Sequence, residues 1–291
     1  MINKVRRTQI LFKAIITIAL ISSFFTGCST KIPVQKEVGV LNLKSKEFKQ
    51  LNRTDHVIAI VSPIIAAESA VAKAQNQASM SPLAQIVLQK YKNSAVNYDF
   101  YGSFTQSYAK RLKEALENSI SEIISAKGFK LKGPYAVFDD ITYQDKKLIY
   151  LALVPKVDFS IDNKIIKKDY HRLYAHTEGV IQIGGSVVIS MVEPLTGQIF
   201  LKRRINLSDF NIQEPYIYEV QTKMVSGSLT GSAIDKATAP DKLIDTTDVA
   251  LTKAINKFYE KTIEKIDTYI DRDEILSFEK DILKLKGLKR F

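Results

Sequence analysis

Cysteine is nearly absent from this chain of 291 residues, histidine occurs three times and tryptophan not at all. A single thiol, Cys28, cannot close an internal disulfide, and cysteine-rich zinc sites are excluded with it. No apolar run reaches the ~20 residues a membrane-spanning helix requires. Glycine (12) and proline (8) are too sparse for a collagen-like or low-complexity chain. The charge excess of +11 is uneven: Lys4, Arg6, Arg7 and Lys13 precede the first acid, and without them the rest of the chain carries +7. So mild an excess carries no nucleic-acid footprint, and no nucleic-acid partner is expected.

The opening residues read as an export address. The four basic residues form an n-region, and Ala14–Phe25 is an uncharged run of twelve that suits an h-region. Phe25-Thr26-Gly27 then leads into Cys28, and Gly27 meets the need for a small residue in a tight peptidase site. The pattern resembles a lipobox, in which a dedicated peptidase cleaves before the cysteine and the thiol is diacylated. The blander alternative is a buried free thiol near the end of an anchor helix. Each buried acyl CH₂ adds about 0.8 kcal/mol, so two or three chains would hold the protein on a membrane. The expected organisation is a removed signal peptide over 1–27, an acylated Cys28 with a tether over 28–52, and one domain over 53–291. Ser29 follows Cys28, which under enteric-type sorting makes the outer membrane the default.

Along the body, Val57–Val61 reads as a strand and residues 64–97 as an Ala/Ser/Gln-rich insertion around Pro82. Phe104–Lys127 is a predicted amphipathic helix, with Tyr108, Leu112, Leu116, Ile120, Ile123 and Ile124 on one face and Gly128 as its cap. Leu148–Val154 predicts a buried strand ended by Pro155, and Val180–Val192 a long strand bulged or bent at Gly184-Gly185. Glu193–Gly197 is a turn, and Gln198–Leu207 returns from it as a hairpin arm. Leu251, Ile255, Phe258, Thr262, Ile266 and Tyr269 make a C-terminal helical stripe, read as core before partner surface. The order predicts an α+β fold: one body with a curved, largely antiparallel sheet covered by an amphipathic helix and long C-terminal helices.

Val192-Glu193-Pro194-Leu195-Thr196-Gly197 and Leu207-Ser208-Asp209-Phe210-Asn211-Ile212-Gln213-Glu214 resemble motifs of the neuraminyllactose-binding haemagglutinin lipoproteins, the Helicobacter adhesin A family. Gly128-Phe129-Lys130, Ala254–Phe258 and Leu285-Lys286-Gly287 are similar to the same family. The resemblance implies a lipid-anchored outer-membrane protein at the cell surface or flagellar sheath, acting as an adhesin without cofactor. Its partners would be a sialylated glycan or a host matrix or cell-surface component, with a homodimer left open. The family's proposed sialic-acid stretch, "KRTIQKK", corresponds to Asp162–Lys168, which makes Lys164, Lys167 and Lys168 the candidate anion-binding residues. Asp162-Asn163 replace the leading Lys-Arg pair, and the bland reading of this run is a solvated basic loop. The rival function is a periplasm-facing lipoprotein that scaffolds or regulates an envelope or flagellar-sheath assembly.

No enzyme signature accompanies these features, so no catalytic residue is expected. His171 and His176 are five apart, an offset that separates them on helix or strand, so no metal site is expected and both read as exposed loop residues. Gly227–Ser232 lacks the lysine of a phosphate loop. Asp139-Asp140 reads as a turn, and Lys286, Lys289 and Arg290 as a solvated tail.

Overall fold

The computed structural model describes residues 34–44, 46–68, 98–171, 174–221 and 242–288. The proposed signal peptide, Cys28 and most of the Ala/Ser/Gln-rich segment lie outside these residues. Within the single body Val34–Phe291, the first elements are β1 (Val34–Lys36), β2 (Val57–Val61), β3 (Ile64–Glu68), α1 (Phe100–Ser107), α2 (Ala109–Ala126), β4 (Lys130–Tyr135) and α3 (Tyr143–Leu148). The long pair β5 (Leu151–His171) and β6 (Tyr174–Val192) follows, then β7 (Ile199–Asn206), β8 (Gln213–Gln221) and β9 (Lys242–Asp245). Helices α4 (Thr247–Tyr269), α5 (Arg272–Ser277) and α6 (Glu279–Leu288) close the chain.

Among the described residues one sheet of nine strands runs β1-β9-β8-β6-β5-β2-β4, with β3 beside β5 and β7 beside β6. The fold is α+β, and the sheet is mixed. Four pairings are parallel and four antiparallel, but the long ones are antiparallel. β5 does not stop at Pro155. Proline cannot donate to a ladder, and Pro155 sits where the neighbouring edge is itself interrupted. β2 pairs β5 only through Leu153, and β3 takes over at Lys156.

Gly184 and Gly185 produce no register shift. Gly185 adopts φ +107, and a Cβ there would meet the Asp158 carbonyl oxygen at 2.1 Å. At this point β6 also exchanges neighbours, from β8 on its first half to β7 on its second.

Packing follows from the alternation of side chains along the strands. Val157, Phe159, Ile181, Ile183, Val187 and Ile189 meet Leu112, Leu116, Ile120 and Ile123 of α2 and Leu251, Ile255 and Phe258 of α4. Phe159 lies between Phe104 and Phe258, with ring centroids 4.7 and 5.0 Å away. The opposite face carries a smaller cluster in which Ala59, Val61 and Ala152 pack with Ile141 and Ile149. The helix predicted as one piece is divided at Tyr108, whose hydroxyl donates to Asp248 at the start of α4. Burial first, and then that carboxylate, pushes the pKa of the Tyr108 phenol upward. The C-terminal helices break at Ile270, where Asp271 caps α5 by accepting from the Glu274 amide at 2.7 Å.

The segment read as a tether is a strap. β1 pairs in parallel with β9, and the chain then follows α2 and α4. The Gly39 amide donates to Asp248 (2.8 Å), the Asn42 amide to Asn256 Oδ1 (2.8 Å), and Asn256 Nδ2 to the Val40 carbonyl (2.9 Å). Lys46 approaches Glu264 at 3.5 Å, and the Leu51 amide donates to the Ala126 carbonyl at 2.7 Å. Three or four strap residues pass for each eight of α4, which matches extended chain at ~3.3 Å against helix at ~1.5 Å per residue. Leu41 is buried beneath it. Its polar composition hides the docking, because backbone groups and three scattered apolar side chains, Leu41, Leu43 and Phe48, make most of the contacts.

Asn256→Ala removes both side-chain bonds to the strap and should cost about 1 kcal/mol. Limited proteolysis should then cut within residues 37–52 several-fold faster than in the unaltered chain. An unchanged rate would show that the strap is held elsewhere.

Candidate functional site

The three lysines singled out from the sequence lie on the outer half of β5, on a strand and not a loop. Lys164 stands opposite Val180 and Lys167 opposite Glu178, while Lys168 stands opposite Thr177. Directly opposed residues share a face. A bulge between Ile165 and Lys167 therefore places Lys164 and Lys167 on one face and Lys168 on the other. Lys167 approaches Glu178 at 3.9 Å, and Lys168 Nζ lies 4.9 Å from the Tyr170 ring centroid. The three ammonium groups do not converge on a single carboxylate. Asn163, where the family stretch has arginine, accepts a 2.7 Å hydrogen bond from the Tyr216 hydroxyl. Tyr216 in turn lies over Gly179, where a Cβ would meet its ring at 2.6 Å. That departure serves packing.

On the face of Lys167 the charges form a row across the strands. His176 Nε2 is 2.7 Å from Glu178 and Nδ1 is 3.3 Å from Glu219, while Lys242 Nζ donates to Glu219 at 2.7 Å. His176 is buried in β6, not exposed in a loop. It uses both ring nitrogens on carboxylates from different strands, which is a strut and not a metal cage. The His171 side chain lies outside the described residues. Glu219 is held below the ordinary glutamate range, first by the hydrogen bond from Lys242, with the charges of Lys242 and His176 adding and burial opposing.

The motifs that carry the family resemblance are built into turns and caps. Glu193 is fully buried and accepts from the Leu195 amide (3.1 Å), the Thr196 amide (2.8 Å) and the Thr196 hydroxyl (2.7 Å). Lys286 lies 3.9 Å from it and donates to the carbonyls of Lys146, Lys147 and Ile149 at the end of α3. Lys286 is thus a half-buried cap and not part of a solvated tail. Burial lowers its pKa, and Glu193 works against that shift. Residues 289–291 lie outside the described residues. Leu207–Phe210 is a short 3₁₀ turn that ends with Asn211 at φ +47. Lys261 donates to the Phe210 carbonyl at 2.8 Å, and Lys257 pairs with buried Glu214 at 2.6 Å. Asp139 and Asp140 lie in another 3₁₀ turn, where Asp140 accepts from the Val137 amide at 3.2 Å.

The concave surface lies elsewhere, along the strap. Among the described residues, cavities flank it, and one of about 570 Å³ is lined by Leu43, Lys44, Arg111, Glu114, Asn118 and Glu122. Its base includes Ser119 and Tyr259, whose hydroxyls are 2.6 Å apart. This volume falls in the range of small-ligand sites. The lining is polar and charge-balanced: the Arg111 guanidinium and Lys44 ammonium stand with the Glu114 and Glu122 carboxylates, beside the Asn118 amide and the Leu43 side chain. Lys44 was hidden in the supposed tether and Arg111 on the solvent side of a helix, so no sequence spacing joins them. Among the described residues, no group of three or more His, Cys, Asp or Glu could hold a metal ion.

These features define an α+β body whose buried polar groups hold turns, helix ends and strand rows, with a polar groove along its strap. The chain belongs to the neuraminyllactose-binding haemagglutinin family: a family model described as neuraminyllactose-binding hemagglutinin precursor matches residues 97–289. A neuraminyllactose-binding hemagglutinin of Helicobacter pylori strain ATCC 700392 / 26695 is 25% identical over 236 residues, 78% of this chain and 88% of that protein. Another, from Helicobacter pylori strain J99 / ATCC 700824, is 24% identical over the same length. A crystal structure described as a homolog of this hemagglutinin from Helicobacter pylori superposes with TM-score 0.51 at 15% identity, covering 82% of this chain and 99% of that one. It supports the fold.

Glu193→Ala would strip the turn of its acceptor and leave Lys286 without its buried counter-charge, at a cost of about 3 kcal/mol. Thermal unfolding should show this as a drop of several degrees, and an unchanged midpoint would mean the turn holds without it.

Acid should act on the strand row. The Glu219 pKa is lower in the fold than its unfolded value of 4.5, so the folded state binds fewer protons there. Its contribution is present above that unfolded value and is lost as pH falls through the folded one. Glu219→Gln should therefore flatten the acid limb of a melting-temperature profile below about pH 4.5. An unaltered limb would assign the acid sensitivity to other carboxylates.

Proposed function

We propose that this chain is a lipid-anchored surface adhesin that binds an acidic, sialylated glycan without catalysis. Membership of a family named for neuraminyllactose binding carries the reading. Acylated Cys28 supplies the attachment, and the groove of Lys44 and Arg111 supplies the ligand site. In that groove the Arg111 guanidinium takes the sialyl carboxylate as a planar fork, with Lys44 as a second cation. Asn118 and Glu114 bond to hydroxyls, and Leu43 covers an apolar sugar face. Lys164, Lys167 and Lys168 are a poorer site, because they are divided between two faces of a strand.

Binding of the acyl-free body (residues 29–291) to immobilised sialyllactose, with lactose as control, tests this reading. Arg111→Gln should weaken sialyl-specific binding at least tenfold, about 1.4 kcal/mol. Lys167→Ala with Lys168→Ala should change it less than about twofold, or ~0.4 kcal/mol. Equal binding to lactose and sialyllactose would end the glycan reading. Loss only in the lysine pair would move the site to β5.

A further inference from the structure

We infer that the outer end of the β5–β6 hairpin faces the phospholipid headgroups of the membrane that holds the anchor, an orientation that rests on the lipid-anchored reading above. The strand directions carry it. β1 runs parallel to β9, β9 antiparallel to β8, and β8 antiparallel to β6. β1 therefore runs with β6 and enters the sheet at the end where that hairpin turns. One row of paired residues crosses five strands there: Val34, Leu243, Val220, Ala175 and Tyr170. At ~4.8 Å per strand the row spans about 19 Å.

Cys28 precedes Val34 by six residues, which reach at most about 22 Å when fully extended. The strap removes the slack a tether would give, since the chain beyond Val34 is paired with β9 and pinned to α4. The far end of β6, at Val192, lies 17 residues beyond Ala175, about 55 Å along the strand. The acyl chains thus draw down the hairpin end, and the Glu193–Gly197 turn stands away from the bilayer.

The side chains at that end fit a headgroup layer. Tyr170 and Tyr174 are half-buried, and Lys168 is exposed. Tyrosine favours the interface of bilayer and water, and a lysine stem lets its ammonium reach phosphate. Asp169, Glu178 and Glu219 offset the cations here, so the acyl chains supply the attachment and the hairpin end sets the orientation.

The test uses the mature acylated chain in vesicles of phosphatidylcholine with a minority of phosphatidylglycerol. Acylation consumes its one native thiol, so a fluorophore placed at Lys168→Cys or at Gln198→Cys is unique. Both positions are exposed, and matching circular dichroism melts verify that both variants fold. With nitroxide carried on the lipid headgroups, the label at position 168 should be quenched several-fold more than the label at 198. Equal quenching would mean the body lies flat, stronger quenching at 198 that it is inverted, and no quenching at either that it stands clear; each overturns the orientation. The mass of the purified chain reports the anchor separately. Absent acyl chains would overturn the lipid-anchored reading and the orientation with it, whereas acyl chains present with any of those quenching results would overturn the orientation alone.

Discussion

The continuous antiparallel register between β5 and β6 is the constraint on which the rest of the body depends. It runs from Ala152 opposite Val192 to His171 opposite Tyr174, with one shift at Ile165. A slip of one residue would turn Val157, Phe159, Ile181 and Ile183 out of the core together. Every other strand is placed by this pair: β2 and β3 share the free edge of β5, and β7 and β8 share that of β6. Gly185 and Pro155 look like interruptions in the sequence but serve this continuity. Glycine allows the chains their close approach at Asp158, and proline occupies a gap between two neighbours.

Much of this was legible where the pattern was local. Leu112, Leu116, Ile120 and Ile123 repeat at helical spacing and are buried, and Val57–Val61 is a strand because an unbroken apolar run of that length suits a sheet interior. What was not legible depends on partners distant in the chain. The strap is held by Asp248 and Asn256, more than two hundred residues away. Its own composition is that of a linker. His176 could not be distinguished from a surface histidine until Glu219 was brought beside it by β8. Lys286 belongs to a basic tail by composition, yet it caps α3 because α6 returns the chain there.

The groove shows the same division. Arg111 lies on the polar side of α2, and polarity alone does not distinguish a solvated side chain from one that lines a cavity. Lys44 joins it only because the strap lies along α2 and α4. A site built from a docked segment and a helix surface leaves no spacing to read. It also ties the shape of the groove to strap stability, since the bonds from Gly39 and Asn42 hold the segment that carries Leu43 and Lys44.

The resemblance to the haemagglutinin family rests on residues whose work here is structural. Glu193 closes a turn, Glu214 pairs with Lys257, and Lys286 caps α3. Losing Glu193 or Lys286 would leave buried amides, a buried carboxylate or carbonyls short of a partner, and losing Glu214 would remove an ion pair between β8 and α4, costs that fall on the fold whatever the protein binds. Side chains such as Arg111 and Lys44 face solvent and can be exchanged at little cost to stability. The fold can therefore persist at 15% identity while the lining of an open groove differs from one member to another. Family membership thus follows the buried polar groups that hold the body together, and the exposed residues around the strap carry none of it.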